Sequence, residues 1–138
     1  MAEILEFDSV YEYSLSKVGI SVEATLQNGD YSVDIDTRID TGATYCVFER
    51  YYGERLNLKI EEGIPIEIGT ATGSFRAFGH ELTLTVRGIE TVSTVYFAEN
   101  DYFDRNVLGR IGWLDRVKLG LIEQEGKLFL SEYKKSGE

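Results

Sequence analysis

The chain has 138 residues, a length typical of one domain. Its composition, with 43% hydrophobic and 28% charged residues, is ordinary for a folded globular protein. Its formal net charge is −10, from 24 acidic and 14 basic residues. This charge argues against nucleic acid or an anionic membrane surface as a partner, because binding to either needs a basic surface.

The first part of the chain is predicted to be an N-terminal extension or arm, residues 1–17, ahead of one domain over residues 18–138. Its first twelve residues carry four acids (Glu3, Glu6, Asp8 and Glu12) and no base. An added strand, a dimer arm and a removable pro-segment all fit this segment. The start lacks the basic and apolar regions of a signal peptide, and no apolar stretch approaches a membrane span. A cytoplasmic location without membrane contact is therefore expected.

The next elements read as a β-hairpin that leads into a polar motif. Apolar residues alternate in Gly19–Gln27, and Asn28-Gly29-Asp30 then provides a strong turn signal. The return strand is predicted over Tyr31–Ile39, with Tyr31, Val33, Ile35 and Ile39 facing inward. It ends at Asp40-Thr41-Gly42-Ala43, a tetrapeptide that occurs once in the chain. The motif is therefore expected where a strand ends and the chain turns.

The remainder of the chain also reads mostly as β-structure. Glu49–Leu58 is weakly helical or irregular, with Gly53 interrupting it, and Gly109–Arg116 is the best helix candidate. A last hairpin is expected around Glu125-Gly126. The predicted strands between and after these segments are 64–68, 75–86, 91–98, 117–122 and 127–133. The pattern predicts an all-β, barrel-like domain with one short C-terminal helix.

Cys46 is the only cysteine, which excludes an intramolecular disulfide and a cysteine-rich zinc site. It lies in an apolar run, so it is interpreted as a small core residue and not as a nucleophile. His80 is the only histidine and is interpreted as structural. No metal and no other cofactor are expected.

In order along the chain, these features resemble the retropepsin-like (retroviral-type) aspartic proteases, including their bacterial single-domain relatives. The resemblance covers about residues 19–133. It rests on the hairpin leading into Asp40, on a second hairpin with a tip of small residues in the position of the family's flap, on an apolar-apolar-Gly-Arg segment, and on the helix candidate after it. The flap residues are Thr70, Ala71, Thr72, Gly73 and Ser74, and the later segment is Val107, Leu108, Gly109 and Arg110.

The resemblance implies a retropepsin-like barrel and an aspartic endopeptidase that acts on a peptide or protein. In such an enzyme, one carboxylate takes a proton from water while a neutral carboxylic acid donates one to the scissile carbonyl. Two aspartates close together do both, because like charges at that distance cannot both ionise easily. One Asp-Thr-Gly per chain supplies one carboxylate, so the resemblance implies a homodimer with the two Asp40 residues on its two-fold axis.

The family pattern also implies roles for the neighbours of Asp40. Gly42 lets the backbone lie close to substrate, and Thr41 ties the two active-site loops together across the dimer. Val107, Leu108 and Gly109 pack behind the loop, with Arg110 as structural support. Many viral members have an acid after the alanine of the motif, whereas this chain has Thr44. A charge pair between that position and Arg110 is therefore absent from this chain.

Two other interpretations remain open from the sequence. The chain could be a catalytically idle retropepsin-fold dimer that binds peptides or mediates assembly. Alternatively, residues 40–44 match a phosphate-binding loop of the actin and sugar-kinase type, in which Asp-x-Gly-x-Thr follows a strand. Such folds need two large α/β domains, and this chain is short and poor in predicted helix.

Overall fold

A computed structural model describes residues 1–134, and within that range the chain forms ten strands and one α-helix. The strands are β1 (Ser9–Glu12), β2 (Ile20–Asn28), β3 (Tyr31–Ile39), β4 (Val47–Phe48), β5 (Ile64–Thr70), β6 (Gly73–Val86), β7 (Ile89–Ala98), β8 (Val107–Leu108), β9 (Val117–Ile122) and β10 (Lys127–Glu132). The helix is α1 (Arg50–Arg55), and 3₁₀ helices cover Ile60–Glu62, Leu114–Arg116 and Glu123–Glu125. The prediction of a mostly β domain is confirmed.

The hairpin β2–β3 confirms the strongest turn signal of the sequence. Asn28 pairs with Tyr31, so the loop consists of Gly29 and Asp30. Gly29 has φ +59°, a left-handed conformation that glycine adopts without steric cost. Alternation along β2 buries Val22, Ala24 and Leu26. On β3, Ile35 is buried and Val33 and Ile39 are half-buried, whereas Tyr31 is exposed because it borders the turn.

Seven strands form one sheet that closes on itself. Their order is β2-β3-β8-β4-β7-β6-β5, and β2 also pairs with β6. This second pairing, from Ala24 opposite Val86 to Gln27 opposite Thr83, closes a ring of six strands, to which β5 is attached through β6. The fold is therefore a small barrel, and closure leaves few unpaired strand edges.

The barrel encloses one apolar core. Alternate residues of β2, β6 and β7 are buried, α1 packs against β3 and β7, and Trp113 from the segment after β8 belongs to the same core. The largest fully buried side chains are Trp113, Phe48, Phe97, Leu26, Ile35, Leu56, Ile60, Leu84, Leu108, Leu128 and Leu130. Burial of this kind contributes about 1.5–3 kcal/mol for each large apolar side chain.

The first segment of the chain contributes a strand to a second, smaller sheet. That sheet has the order β1-β10-β9, and Ser9 lies opposite Leu130 while Glu12 lies opposite Lys127. Phe7 packs on Phe129 with ring centroids 5.8 Å apart. Residues 9–12 are thus paired within their own chain. The division of the chain at residues 17 and 18 stays a prediction.

Helix α1 passes through Gly53, although glycine at this position predicts an interruption. A Cβ at this position would overlap the side chains of Ile60 and Phe97. Glycine costs about 1 kcal/mol in a helix relative to alanine. Here its small size lets the helix backbone approach the barrel, and this close packing outweighs the low helix propensity.

The prediction of a helix over Gly109–Arg116 is wrong for most of its length. Only Leu114–Arg116 is helical, and it is a single 3₁₀ turn. Gly112 has φ +107°, far from any helical conformation, and the N–H groups of Arg110 and Ile111 are bonded to the loop after Asp40. Trp113 is buried and Leu114 packs on the core, so these apolar side chains serve an irregular segment and not a helix.

Candidate functional site

The loop that contains Asp40 begins where β3 ends and is fixed by its own backbone. The Asp40 N–H donates to the carbonyl of Leu108 at 3.0 Å, and the Ala43 N–H donates to the carbonyl of Asp40 at 3.1 Å. The Gly42 N–H donates to Oδ1 of Asp40 at 2.9 Å. These bonds close a tight turn that holds the carboxylate in one direction. Asp40 itself is exposed, so the carboxylate faces out of the barrel wall.

Strand β8 and the residues after it brace this loop from behind. β8 lies parallel to β3, with Ile39 opposite Leu108. Farther along, the Arg110 N–H donates to the carbonyl of Ala43 at 2.9 Å, and the Ile111 N–H donates to that of Thr44 at 2.8 Å. Together with the bond from Asp40 to Leu108, these contacts connect the two segments at both ends of the motif.

Gly109 is the point of closest approach between the two segments. A Cβ on this buried residue would overlap the carbonyl oxygen of Tyr45 and would lie 2.8 Å from that of Ala43. Neither contact involves a flexible side chain, so relief would require movement of the loop backbone. Position 109 therefore requires a glycine, because two backbone segments pack closely against each other there.

Cys46 lies beneath the loop and is buried. Its Sγ accepts a bond from the Gly109 N–H at 3.4 Å, and its thiol donates to the carbonyl of Ile111 at 3.8 Å. Burial raises the pKa of the Cys46 thiol from 9.0 to about 11. The thiol is therefore protonated at neutral pH, which agrees with the interpretation of Cys46 as a core residue and not a nucleophile.

The hairpin β5–β6 carries the five residues predicted as a flap. Thr70 pairs with Gly73, and the loop between them is Ala71-Thr72. All five residues from Thr70 to Ser74 are exposed. Within the hairpin, the Thr70 hydroxyl donates to the carbonyl of Gly73 at 3.1 Å. In the described part of the chain, the tip thus has no support beyond its own two strands.

A cleft of about 480 Å³ lies between this hairpin and the Asp40 loop. One wall comes from the loop, the opposite wall from the hairpin, and the floor from β4 and from the segment that leads into β8. The lining residues are Asp40, Gly42, Ala43, Thr44, Tyr45, Val47, Glu67, Ile68, Gly69, Thr70, Ala71, Phe75, Phe103, Arg105 and Val107. Asp40, Thr70 and Ala71 are exposed, so the cleft is open to solvent.

Six of the thirteen sequence-predicted site residues line this cleft, and two more lie behind the loop. Asp40, Gly42, Ala43, Thr70, Ala71 and Val107 line it, whereas Leu108 and Gly109 are buried behind the loop. Thr72, Gly73 and Ser74 form the outer part of the hairpin tip. Thr41 is exposed, and within residues 1–134 its hydroxyl makes no hydrogen bond. Arg110 supports the loop through its backbone, and its side chain is exposed and lines a separate shallow hollow with Thr44.

Phe103 and Arg105 are among the lining residues that were not predicted from the sequence, because the polar segment 100–106 indicates only a loop. Residues 103, 105 and 107 all line the cleft, which is the alternation of an extended strand. The signal in the sequence is an alternation of side chains that continues from Val107 back to residues 105 and 103, as in an extended strand. It was obscured because Arg105 is charged and Asp104 and Asn106 flank it.

Residues 40–44 lie in an all-β setting, which counts against a phosphate-binding loop of the actin and sugar-kinase type. The motif is followed by an isolated bridge at Tyr45 and by β4, and not by a second α/β layer. Nε2 of His80 donates a 2.9 Å hydrogen bond to the carbonyl of Ile60, and the ring packs near Phe97, which is a structural environment. Within residues 1–134, no three potential metal ligands lie close enough to hold an ion. In the same range, no helix has the length and apolar character to cross a bilayer.

Comparisons with known proteins identify the fold through a solved structure, whereas the sequence comparisons find no match. No family model matches the sequence, and no curated protein matches it. Among solved structures, the chain is similar to EIAV protease in complex with the inhibitor HBY-793, with a TM-score of 0.56 and 20% sequence identity. The similarity covers 72% of this chain and 88% of that chain. The fold is therefore retropepsin-like, that is, of the type found in a retroviral aspartic protease.

Proposed function

We propose that this protein is an aspartic endopeptidase of the retropepsin type, resembling the bacterial single-domain members, and that it works as a homodimer. The observation that carries the proposal is the position of Asp40 on a rigid loop at the wall of an open cleft, with a hairpin of small residues opposite. The retropepsin-like fold supports the same conclusion. Peptide hydrolysis is the chemistry that this arrangement serves best.

In the proposed mechanism, an extended peptide lies in the cleft between the loop and the flap hairpin. The Asp40 carboxylate of one subunit accepts a proton from water, and the Asp40 carboxylic acid of the other donates one to the scissile carbonyl. The bond from the Gly42 N–H to Oδ1 keeps the carboxylate oriented before the reaction. Preorganisation of this kind lowers the barrier because less reorganisation is needed in the transition state.

The dimer follows from the count of carboxylates in this cleft. Glu67 is the other acid of the lining; it lies outside the Asp-Thr-Gly motif and forms an exposed ion pair with Arg76 of the same hairpin at 3.2 Å. The chain contains one Asp-Thr-Gly. The second aspartate is therefore supplied by a second copy, related by a two-fold axis. The exposed Thr41, whose hydroxyl has no acceptor within residues 1–134, is proposed to bond to the partner's loop.

The test is cleavage of a mixed peptide library, read by mass spectrometry, with wild type and Asp40→Asn. Asparagine retains an oxygen to accept the Gly42 N–H, so the loop should keep its shape. We expect cleavage to fall on the order of 10³-fold or more, since general acid–base catalysis is lost. Asp30→Asn, at the exposed turn of β2–β3, is the matched control and should cleave as wild type does. Equal cleavage by wild type and Asp40→Asn would exclude the proposed chemistry.

The shared site has its own test, a mixing experiment. When wild type and Asp40→Asn chains are unfolded, mixed and refolded together, only dimers of two wild-type chains carry both carboxylates. Activity should then fall as the square of the wild-type fraction. A fall in direct proportion would mean that each chain contains a complete site. If the wild type is a folded dimer that cleaves nothing, the idle peptide-binding or assembly dimer becomes the better description.

A further inference from the structure

We propose that the cleft selects peptides with an acidic side chain beside an apolar one, and that Arg105 is the residue that binds the acidic group. This inference rests on the proposed function, because it assigns a substrate class to the same cleft. Its evidence comes from the direction, the anchoring and the charge balance of the segment that leads into β8.

The direction of Arg105 follows from the extended backbone of residues 103–107. Phe103, Arg105 and Val107 all line the cleft. Asp104 and Asn106 instead line a hollow on the other side, together with Lys17 and Arg38. Successive side chains of an extended segment point to opposite faces. Arg105 therefore points into the cleft, and its neighbour Asp104 is held on the wrong face to neutralise it.

The segment is anchored on both sides of Arg105. On one side, Asn106 accepts a bond from the Glu49 N–H at 3.0 Å and donates from Nδ2 to the Glu49 carboxylate at 2.8 Å. On the other, Phe103 packs against Phe75 of β6, with ring centroids 4.7 Å apart. Arg105 is thus presented from a fixed backbone and next to an aromatic pair that forms an apolar surface.

The charge balance of the cleft leaves Arg105 free to bind a ligand. The lining contains two acids and this one base. Glu67 is paired with Arg76, and Asp40 is bonded to the Gly42 N–H. Within residues 1–134, Arg105 takes part in no ion pair or hydrogen bond, although the chain carries 24 acidic residues. A cation left unpaired in so acidic a chain, inside the cleft, is complementary to an anionic group on the substrate.

A guanidinium recognises a carboxylate in particular, because its planar array of donors forms two parallel hydrogen bonds to it. The Phe75–Phe103 pair would contact an apolar side chain of the same peptide. In the proposed dimer, the two-fold axis repeats Arg105 in both halves of the cleft, so acidic residues should be favoured on either side of the scissile bond. The substrate class is therefore an extended peptide with Asp or Glu close to an apolar residue.

The test separates peptide selection from catalysis. A displayed dodecapeptide library is panned on the Asp40→Asn protein and on Asp40→Asn combined with Arg105→Gln, and the bound peptides are sequenced. We expect several-fold enrichment of Asp and Glu in the first pool, loss of that enrichment in the second, and enrichment of Lys and Arg with Arg105→Glu. Arg55→Gln, which removes the same charge at the far end of α1, is the matched control and should keep the acidic preference.

Two outcomes would overturn the proposal: bound pools with no acidic enrichment, or an acidic enrichment that persists in Arg105→Gln. The second readout is digestion of the same library by the wild type and by the Arg105→Gln single variant, both of which retain Asp40. Arg105→Gln should lower kcat/KM about tenfold or more for peptides with an acid near the cleaved bond, and little for their amide counterparts. If no peptide is cleaved but acidic peptides are bound through Arg105, the proposed endopeptidase activity is wrong and the proposed selectivity of the cleft is supported.

Discussion

The two walls of the cleft are built in opposite ways. The Asp40 loop is bonded to the segment after β8 at both ends, with Gly109 and Cys46 packed beneath it. The hairpin tip around Ala71-Thr72, which is the proposed flap, is exposed and is held by its own two strands. A reacting group has to be fixed before the substrate arrives, whereas a covering hairpin has to open and close. The difference in support therefore matches the difference in proposed task.

The largest expected effect on the loop wall is that of Gly109→Ala. The added methyl group would overlap the carbonyl of Tyr45 and press on that of Ala43, so the loop backbone has to move. We expect a loss of about 3 kcal/mol in the free energy of unfolding, in the range of severe overpacking. Cleavage should be lost as well. Thermal denaturation and the peptide digest measure the two effects, and a variant as stable as wild type would show that the loop yields easily.

The buried thiol beneath the loop gives a prediction for pH. The native pKa of Cys46 is about 11, above its ordinary 9.0, so the native state keeps a proton that the unfolded chain loses. Its contribution is present in full below pH 9 and is lost as pH rises from 9 to 11. The expected slope is about 1.4 kcal/mol for each pH unit in this window. Denaturant unfolding of wild type and Cys46→Ser at several pH values measures the difference.

Cys46→Ser isolates the thiol because other groups, the tyrosines included, titrate in both proteins. The stability difference between the two proteins should therefore change with pH only above about 9, in the direction of a relative gain for Cys46→Ser. A difference that stays constant up to pH 11 would contradict the burial of the thiol. The flap tip carries no buried titratable group among residues 70–74, so it offers no comparable pH-dependent term.

The smallest expected effect on stability is that of Gly69→Ala, the matched change on the flap wall. Gly69 is exposed, and a Cβ there meets no atom within 4 Å. We expect a change of no more than about 0.5 kcal/mol, because nothing is overpacked. The methyl group would still enter the cleft, so KM should change more than the melting temperature. A large loss of stability would mean that the flap wall is braced like the loop wall.

Much of the fold and part of the candidate site could be predicted from local sequence patterns. The hairpin into Asp40 was predictable because Asn28-Gly29 and the alternation in β2 and β3 agree over adjacent residues. Gly53 and the segment 109–113 were misread because their conformations depend on distant contacts. Gly53 meets Ile60 and Phe97, and Arg110 and Ile111 bond to residues 67 positions away, which no local propensity encodes. Arg105 was missed since its direction depends on the pairing of β8.

By itself, the sequence determined the strands with clear alternation, the position of Asp40 at the end of one of them, and the presence of a single carboxylate motif. These features are local, because a period of two and a turn signal act over a few neighbouring residues. Only the tertiary structure decided that the loop is braced through Gly109, that the Thr70 hairpin faces Asp40, and that Phe103 and Arg105 enter the cleft. Those arrangements arise when β3, β6 and β8 pack together, and the contacts between them join residues far apart in the chain.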